Sequence, residues 1–183
     1  MDHNEAVALM EKHLESDALR RHSLASEMVV RALALHLGKA PEEAERWGLL
    51  GLLHDLDYAE TENNPELHGL KTVEYLADLG FTPEELAAIS RHNAEMLGMT
   101  RESDLDLALT CGEVVTGLIT AAALVQPDKK ISSVKPASAV KKMKDKTFAR
   151  SVNREHIKLC ESLGLPLIDF MTLAVSAMSR LDD

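Results

Sequence analysis

A His-Asp pair stands at the end of an apolar segment, and its chemistry is the clearest functional signal in the sequence. The segment runs Gly-Leu-Leu-Gly-Leu-Leu from residue 48, and His54 and Asp55 follow it directly. An ionisable pair beside so much buried surface is costly unless a partner offsets its desolvation. A metal ion uses both side chains, because imidazole nitrogen and carboxylate oxygen together suit iron, manganese, zinc, cobalt or nickel.

Further potential ligands lie at the edges of other apolar helical patterns. His22 precedes one apolar stripe, His68 follows a loop, His92 lies near the end of a helix, and Glu113 lies inside a strongly apolar helix. Each histidine alone is explained as a hydrogen-bonded core residue, and a lone Glu113 as a surface position. Taken together they favour a shared metal site about as much as they favour separate structural roles.

Helical periodicity dominates the elements that must position these side chains. Helix entries are predicted at Ala40-Pro41, Pro65, Thr82-Pro83, Ser103 or Asp104, Asn153 and Pro166. Prolines at the first helical position and glycines after the last turn support these boundaries. The fold prediction is an all-α, compact single-domain bundle of roughly eight to ten helices over residues 1–183. Its metal-site core spans about 18–125, and a basic segment, 129–158, and a C-terminal helix, 166–181, pack on it.

Charge is distributed unevenly along the chain. The 183 residues carry a net charge of −10, yet residues 1–128 hold 9 basic and 24 acidic residues, whereas 129–158 hold 10 basic and 2 acidic ones. The total argues against long nucleic acids and anionic membranes as partners. The basic segment favours a small anion, so a small phosphorylated substrate stays compatible with this composition. The oligomeric state stays open.

The remaining composition predicts a cytoplasmic protein with reduced thiols. Cys111 and Cys160 lie far apart and form no CxxC pattern, which argues against a disulfide framework or a cysteine zinc site. The acidic, polar start of the chain does not resemble a signal peptide. The longest nearly apolar run, 114–125, is shorter than the roughly 18 residues that span a bilayer.

The order of the histidines and acids resembles a known family. His22, then Gly51-Leu-Leu-His-Asp-Leu-Asp, then His68, His92 and an acid are similar to the pattern of the HD-domain superfamily of metal-dependent phosphohydrolases. The resemblance covers roughly residues 18–125, and 129–155 is similar to a tail in a subset of bacterial HD proteins of unassigned activity. It implies that His22, His54, Asp55 and Glu113 bind a first divalent metal.

The same resemblance implies a second metal. In binuclear members Asp55 bridges two ions, and the intervening histidines, here His68 and His92, bind the second; in mononuclear members those histidines face the substrate phosphate. We expect one or two divalent transition metals, iron or manganese first, with cobalt, nickel, zinc or magnesium as alternatives. Glu113 departs from the usual Asp, and the longer side chain could shift the metal, change its preference or weaken catalysis. Asp104 and Asp106 fit that position less well.

The implied chemistry is hydrolysis of a small phosphate ester or nucleotide by metal-activated water. Asp55 would bridge the metals and orient the water. Asp57 is a candidate base near the metals, although a simple loop acid is favoured. Candidate phosphate contacts are Lys71, which the helical spacing places on one face with His68, and Lys141, Lys142 and Arg154 of the basic segment, which could act as a lid.

Two other functions fit the same residues. Some relatives use a di-iron site for oxygenase chemistry, and the ligand set does not separate them from hydrolases. A non-catalytic metal-binding or signalling module is the third possibility, in which Glu113 marks lost activity.

Overall fold

The structure, a computed structural model, describes residues 1–182. Within this range the chain forms eleven α-helices and no strand. They are α1 (His3–His13), α2 (Asp17–His36), α3 (Pro41–Leu53), α4 (Tyr58–Thr61), α5 (Leu70–Leu76), α6 (Pro83–His92), α7 (Ala94–Leu97), α8 (Asp104–Leu124), α9 (Pro136–Lys142), α10 (Arg154–Lys158) and α11 (Leu167–Met178). Short 3₁₀ turns cover Pro65–Leu67, Ile131–Ser133, Leu159–Leu163 and Ser179–Asp182. The all-α prediction is confirmed, and the number of helices exceeds the expected range because α4, α7 and α10 have only four or five residues.

Three helices, α2, α3 and α8, form the centre of the fold and bring the candidate ligands together. Glycines allow the close approach. A Cβ atom at Gly51 of α3 would lie 2.7 Å from the backbone oxygen of Ser26 in α2, and one at Gly112 of α8 would lie 2.8 Å from Val30. Gly51 is three residues before His54, and Gly112 is next to Glu113. The close packing of α2, α3 and α8 therefore brings the helix segments that carry His54 and Glu113 towards α2.

Local signals in the sequence set several helix starts. Capping boxes form at Thr82 with Glu85 and at Ser103 with Asp106, where side chain and backbone satisfy each other's free amide groups. Pro41 occupies the first turn of α3, as predicted. These caps fix the start of α6, which ends at His92, and of α8, which carries Glu113.

The region around His68 differs from the prediction. Pro65 opens a 3₁₀ turn instead of a helix, and His68 follows it with an extended backbone (φ −63°, ψ 130°). Helix α5 begins only at Leu70, after Gly69 at φ +87°. The expectation that Lys71 shares a helix face with His68 is therefore wrong, because the two residues do not lie on one helix.

Helix α8 is the longest and most buried element. Its length and composition suffice for a membrane span, which the apolar run 114–125 alone did not predict, but 61% of its most apolar window is buried inside the fold. It packs against α2, α6 and α10. Helix α11 packs against α2 and α9, with Phe170 and Met171 fully buried.

Candidate metal centre

The His-Asp pair directly follows the last residue of α3, and both side chains are buried in the centre of the fold. The residues Leu50, Leu52 and Leu53 are fully buried, and His54 is also 0% exposed. His54 caps the helix with its ring turned back, so that Nδ1 donates to the Gly51 carbonyl oxygen at 2.8 Å. Its Nε2 atom is therefore unprotonated in the neutral ring and faces the site.

A first group of potential ligands consists of His22, His54 and Glu113. The Nε2 atoms of His22 and His54 lie 3.3 Å apart, and His22 Nε2 lies 3.8 Å from a carboxylate oxygen of Glu113. Three helices supply these residues, α2, α3 and α8. One imidazole or carboxylate atom from each lies within 4.8 Å of the others, which is a spacing that one cation could bridge.

A second group consists of Asp55, His68 and His92. The Nε2 atoms of the two histidines lie 2.9 Å apart, and they lie 3.2 and 3.6 Å from Asp55 Oδ1. Asp55 also faces the first group, since Oδ1 lies 3.3 Å from His54 Nε2 and Oδ2 lies 3.6 Å from His22 Nε2. Its carboxylate thus stands between the two groups.

The outer nitrogen of every ring is held by an oxygen atom. His92 Nδ1 donates to the Ile89 carbonyl, and His68 Nδ1 bonds to Asp57 Oδ1 at 2.8 Å. His22 Nδ1 lies 2.9 Å from Thr116 Oγ1, whose hydroxyl donates to the Glu113 carbonyl, so the ring is the donor. With the outer nitrogens protonated, neutral rings turn four Nε2 lone pairs towards one another, and a proton or a metal ion must lie between them. Outer hydrogen bonds of this kind are typical of metal-binding histidines.

Protonation in the metal-free site follows from burial and from the central carboxylate. Burial lowers the pKa of His22 to about 4 and that of His92 to about 3. Burial opposes ionisation of Asp55, but the surrounding histidines outweigh it and hold its pKa well below the usual range. Burial alone would lower the pKa of His68, but the hydrogen bonds that its ring donates to the Asp55 and Asp57 carboxylates raise it to about 10. A proton on His68 therefore occupies the place between the second-group atoms.

Glu113 is the acid that differs most from an ordinary surface carboxylate. Burial, and then the nearby Asp55 carboxylate, raise the pKa of Glu113 well above its usual value. Without a cation, burial and the Asp55 charge therefore favour the protonated, neutral form of this side chain. Metal ligands must be deprotonated, so a cation in the first group would displace its proton.

Comparison with known proteins agrees with this geometry. The family model described as HD domain matches residues 19–127, which is more than half of the chain. The chain belongs to the HD domain family. No curated protein and no solved structure matches it. Membership supports a metal-dependent hydrolase and a divalent metal, and the His and Asp groups could hold it.

Asp57 of the HD domain is the residue that the sequence described least well. It lies in the turn after α3, but it is 0% exposed, unlike a solvated loop acid. It also does not line the cavity above the ligand groups, as a base beside the metals would. Its Oδ1 holds His68, and its Oδ2 accepts from the amides of Gly69 and Thr72 at 2.8 and 3.0 Å. Asp57 therefore positions His68. The only signal in the sequence was its spacing, two residues after Asp55.

Two further positioning residues of the HD domain had no signal in the sequence. Asn93 donates to the carbonyl oxygens of Pro65 at 2.7 Å and His68 at 3.1 Å, which fixes the segment before α5. Arg101 donates to the carbonyl of His92 at 2.9 Å and pairs with Glu95.

The predicted phosphate contacts of the HD domain lie elsewhere. Lys71 pairs with Glu60 at 2.8 Å, and Lys142 stacks on the Phe148 ring at 3.8 Å. Arg154 donates to backbone carbonyls of its own segment, and none of these residues nor Lys141 lines the metal cavity. These three basic-segment side chains therefore do not reach the ligand groups as a lid.

The basic segment reaches the site through other residues. The cavity above the ligand groups has a volume of about 380 Å³, and Ser151, Val152 and Asn153 form part of its wall, as does Tyr58. Asn153 caps α10 through its Oδ1 atom, which accepts hydrogen bonds from the backbone amides of Glu155 and His156. The structure records no partner for its Nδ2 amide among residues 1–182, so this group is available as a donor.

Proposed function

We propose that this HD domain is a metal-dependent phosphohydrolase that acts on a small phosphate ester. The observation that carries the proposal is the convergence of four histidine Nε2 atoms and two carboxylates, with Asp55 between the two groups. All of these side chains except that of His54 line one cavity. Nitrogen and oxygen donors in this ratio suit a first-row transition metal, with iron or manganese favoured. Two groups of three support two ions over one.

The chain's own residues supply binding and orientation. His22, His54 and Glu113 would hold one ion, His68 and His92 the other, and Asp55 would contact both. Bound divalent metal lowers the pKa of water towards about 7 and neutralises phosphoryl charge. The residues of the HD domain need not form a covalent intermediate.

The substrate phosphoryl group would meet neutral donors instead of lysines. Ser151 and the Asn153 amide lie on the wall of the cavity that holds the ligand groups. Asp55 carries its negative charge at neutral pH, as does Asp57 behind His68, since each has a lowered pKa for which hydrogen bonding and neighbouring histidines outweigh burial. Asp55 is thus able to accept a hydrogen bond from an attacking water.

The test combines metal content with turnover. Protein purified without chelator would be analysed for bound metals and assayed on a panel of phosphate esters with Mn, Fe, Co, Ni or Mg. We expect bound metal and metal-stimulated phosphate release that Asp55→Ala abolishes. Asp78→Ala, which changes an exposed acid outside both ligand groups and outside the lining of their cavity, is the matched control and should retain activity.

Two results would contradict the proposal. Protein that binds no metal and releases no phosphate under any condition would exclude a metal-dependent phosphohydrolase. Metal-bound protein that consumes oxygen in the presence of an organic substrate, without releasing phosphate, would favour the di-iron oxygenase instead.

A further inference from the structure

A second cavity lies beside the metal cavity and is lined by basic side chains. Its volume is about 740 Å³, and Val152 and Asn153 belong to the walls of both cavities. Five of its lining residues are basic and one is acidic: Lys144, Lys146, Arg150, Arg154, Lys158 and Glu155. The two cavities therefore share the part of their walls that Val152 and Asn153 form.

Arg154 gives the loop over this cavity a defined shape. Its guanidinium donates to the carbonyl oxygens of Ala149 and Val152, both at 2.6 Å, and also to those of Phe148 and Asp145. A single side chain thus holds four carbonyls between residues 145 and 152. The guanidinium of Arg154 therefore stabilises the loop, and the loop places Lys146 and Arg150 in the wall of the cavity.

A second set of contacts fixes the start of this loop. Asp145 accepts from the backbone amide and the hydroxyl of Thr147 at 2.9 and 2.7 Å. Ala149 adopts φ +43°, an uncommon conformation for a residue with a Cβ atom. The loop therefore has a specific shape that several contacts maintain.

Four of the five basic side chains of the cavity have no acidic partner among residues 1–182, and of these four only Arg154 binds backbone carbonyls. Lys158 pairs with Glu155 at 2.8 Å, but no ion pair involves Lys144, Lys146 or Arg150. The chain carries 30 acidic and 20 basic residues, so acids are abundant elsewhere. Three cations left together on one shaped loop form a site for an external anion.

We propose that this basic cavity binds a second phosphate of the substrate, while the scissile phosphoryl group lies at the ligand groups. This assignment rests on the proposed function. It defines the substrate class as molecules with two phosphoryl groups, one on each side of the wall formed by Val152 and Asn153. Lysine and arginine are suited to phosphate through charge-assisted hydrogen bonds.

The first experiment measures anion binding without the metal chemistry. Inorganic tripolyphosphate is titrated calorimetrically into metal-free protein at low ionic strength. We expect saturable binding that Lys146→Gln/Arg150→Gln weakens by about tenfold or more, because two charged contacts are lost. The control Arg21→Gln/Lys129→Gln removes the same charges from a different cavity and should bind within about twofold of wild type. Absence of binding, or equal weakening by both variants, would overturn the proposal.

The second experiment measures substrate preference. Fructose 1,6-bisphosphate and fructose 6-phosphate are compared as substrates with the activating metal. For the bisphosphate, Lys146→Gln/Arg150→Gln should lower kcat/KM by about tenfold through KM, while the monophosphate value stays unchanged. A parallel fall for both substrates would contradict a second phosphate site. If no phosphate ester is hydrolysed at all, the proposed function fails, and the tripolyphosphate titration still decides whether the cavity binds anions.

Discussion

Replacing Asp57 with Asn should weaken binding of the second metal without disturbing the first. The carboxylate uses one oxygen for His68 and the other for the amides of Gly69 and Thr72. An asparagine has only one acceptor oxygen. If that oxygen keeps the two backbone amides, its NH₂ group faces His68 Nδ1, which must then accept.

This change of partner moves the proton of His68 to Nε2, the atom that would bind the metal. The opposite amide orientation is less favourable, since it leaves two buried amides unsatisfied at about 1–3 kcal/mol each. Loss of an outer-shell partner typically costs about 10–100-fold in metal affinity, or about 1.4–2.7 kcal/mol. We expect a loss in this range for the second group only.

Calorimetric titration with Mn²⁺, supported by elemental analysis, measures the effect. Wild type should bind two equivalents, and Asp57→Asn should bind the first equivalent as wild type does and the second about 10–100-fold more weakly. Asp106→Asn is the matched control: Asp106 is also fully buried and also accepts from two backbone amides, those of Glu102 and Ser103, but it lies outside both ligand groups. It should lose stability and keep both metals. Two equivalents in Asp57→Asn, with affinities within about threefold of wild type, would refute this reasoning.

Three other predictions concern packing, charge and metal removal. Gly51→Ala should lower the free energy of chemical unfolding by about 1–3 kcal/mol, because the added Cβ atom would clash with the backbone of α2. Gly48→Ala is the control and should cost less, because its Cβ atom would contact only the side chains of Arg31 and Glu27. Equal costs would contradict the close-packing argument. Burial would raise the pKa of Glu85, but the hydrogen bond and charge of Arg46 outweigh burial and lower it. The ion pair therefore stabilises the fold above the unfolded-state pKa of Glu85, and this stabilisation is lost as the pH falls through the folded-state pKa. The difference in unfolding free energy between wild type and Glu85→Gln should narrow from pH 7 to pH 3, and a constant difference would argue against the pair. Protein treated with a chelator should have an unfolding free energy about 2.7 kcal/mol lower than protein with free metal at 100 times the Kd. Thermal unfolding measures the difference, and for Asp55→Ala the chelator should leave the melting temperature unchanged.

The helices and their starts were predictable because local rules determine them. The capping boxes at Thr82 and Ser103 and the proline at position 41 each act within a few residues. The stretch from Pro65 to Gly69 was not predictable in the same way. There Asp57, more than ten residues earlier, and Asn93, more than twenty residues later, hold the backbone.

The partners of the basic residues were equally difficult to predict. Lys142 stacks on Phe148, and Arg154 binds carbonyls, so neither is available to a phosphate at the ligand groups. The sequence shows a basic segment, but it does not show which charges are used in folding the loop. Only the folded arrangement separates Lys146 and Arg150, which have no acidic partner among residues 1–182, from those that do structural work.

The sequence by itself determined the fold class, the family pattern and the candidate ligands, because residue types and helical spacing are local properties. Tertiary structure alone decided that these ligands form two groups with Asp55 between them. It also decided that Asp57 orients His68. The physical reason is that ligand geometry depends on how closely α2, α3 and α8 approach, and on hydrogen bonds between residues distant in the chain.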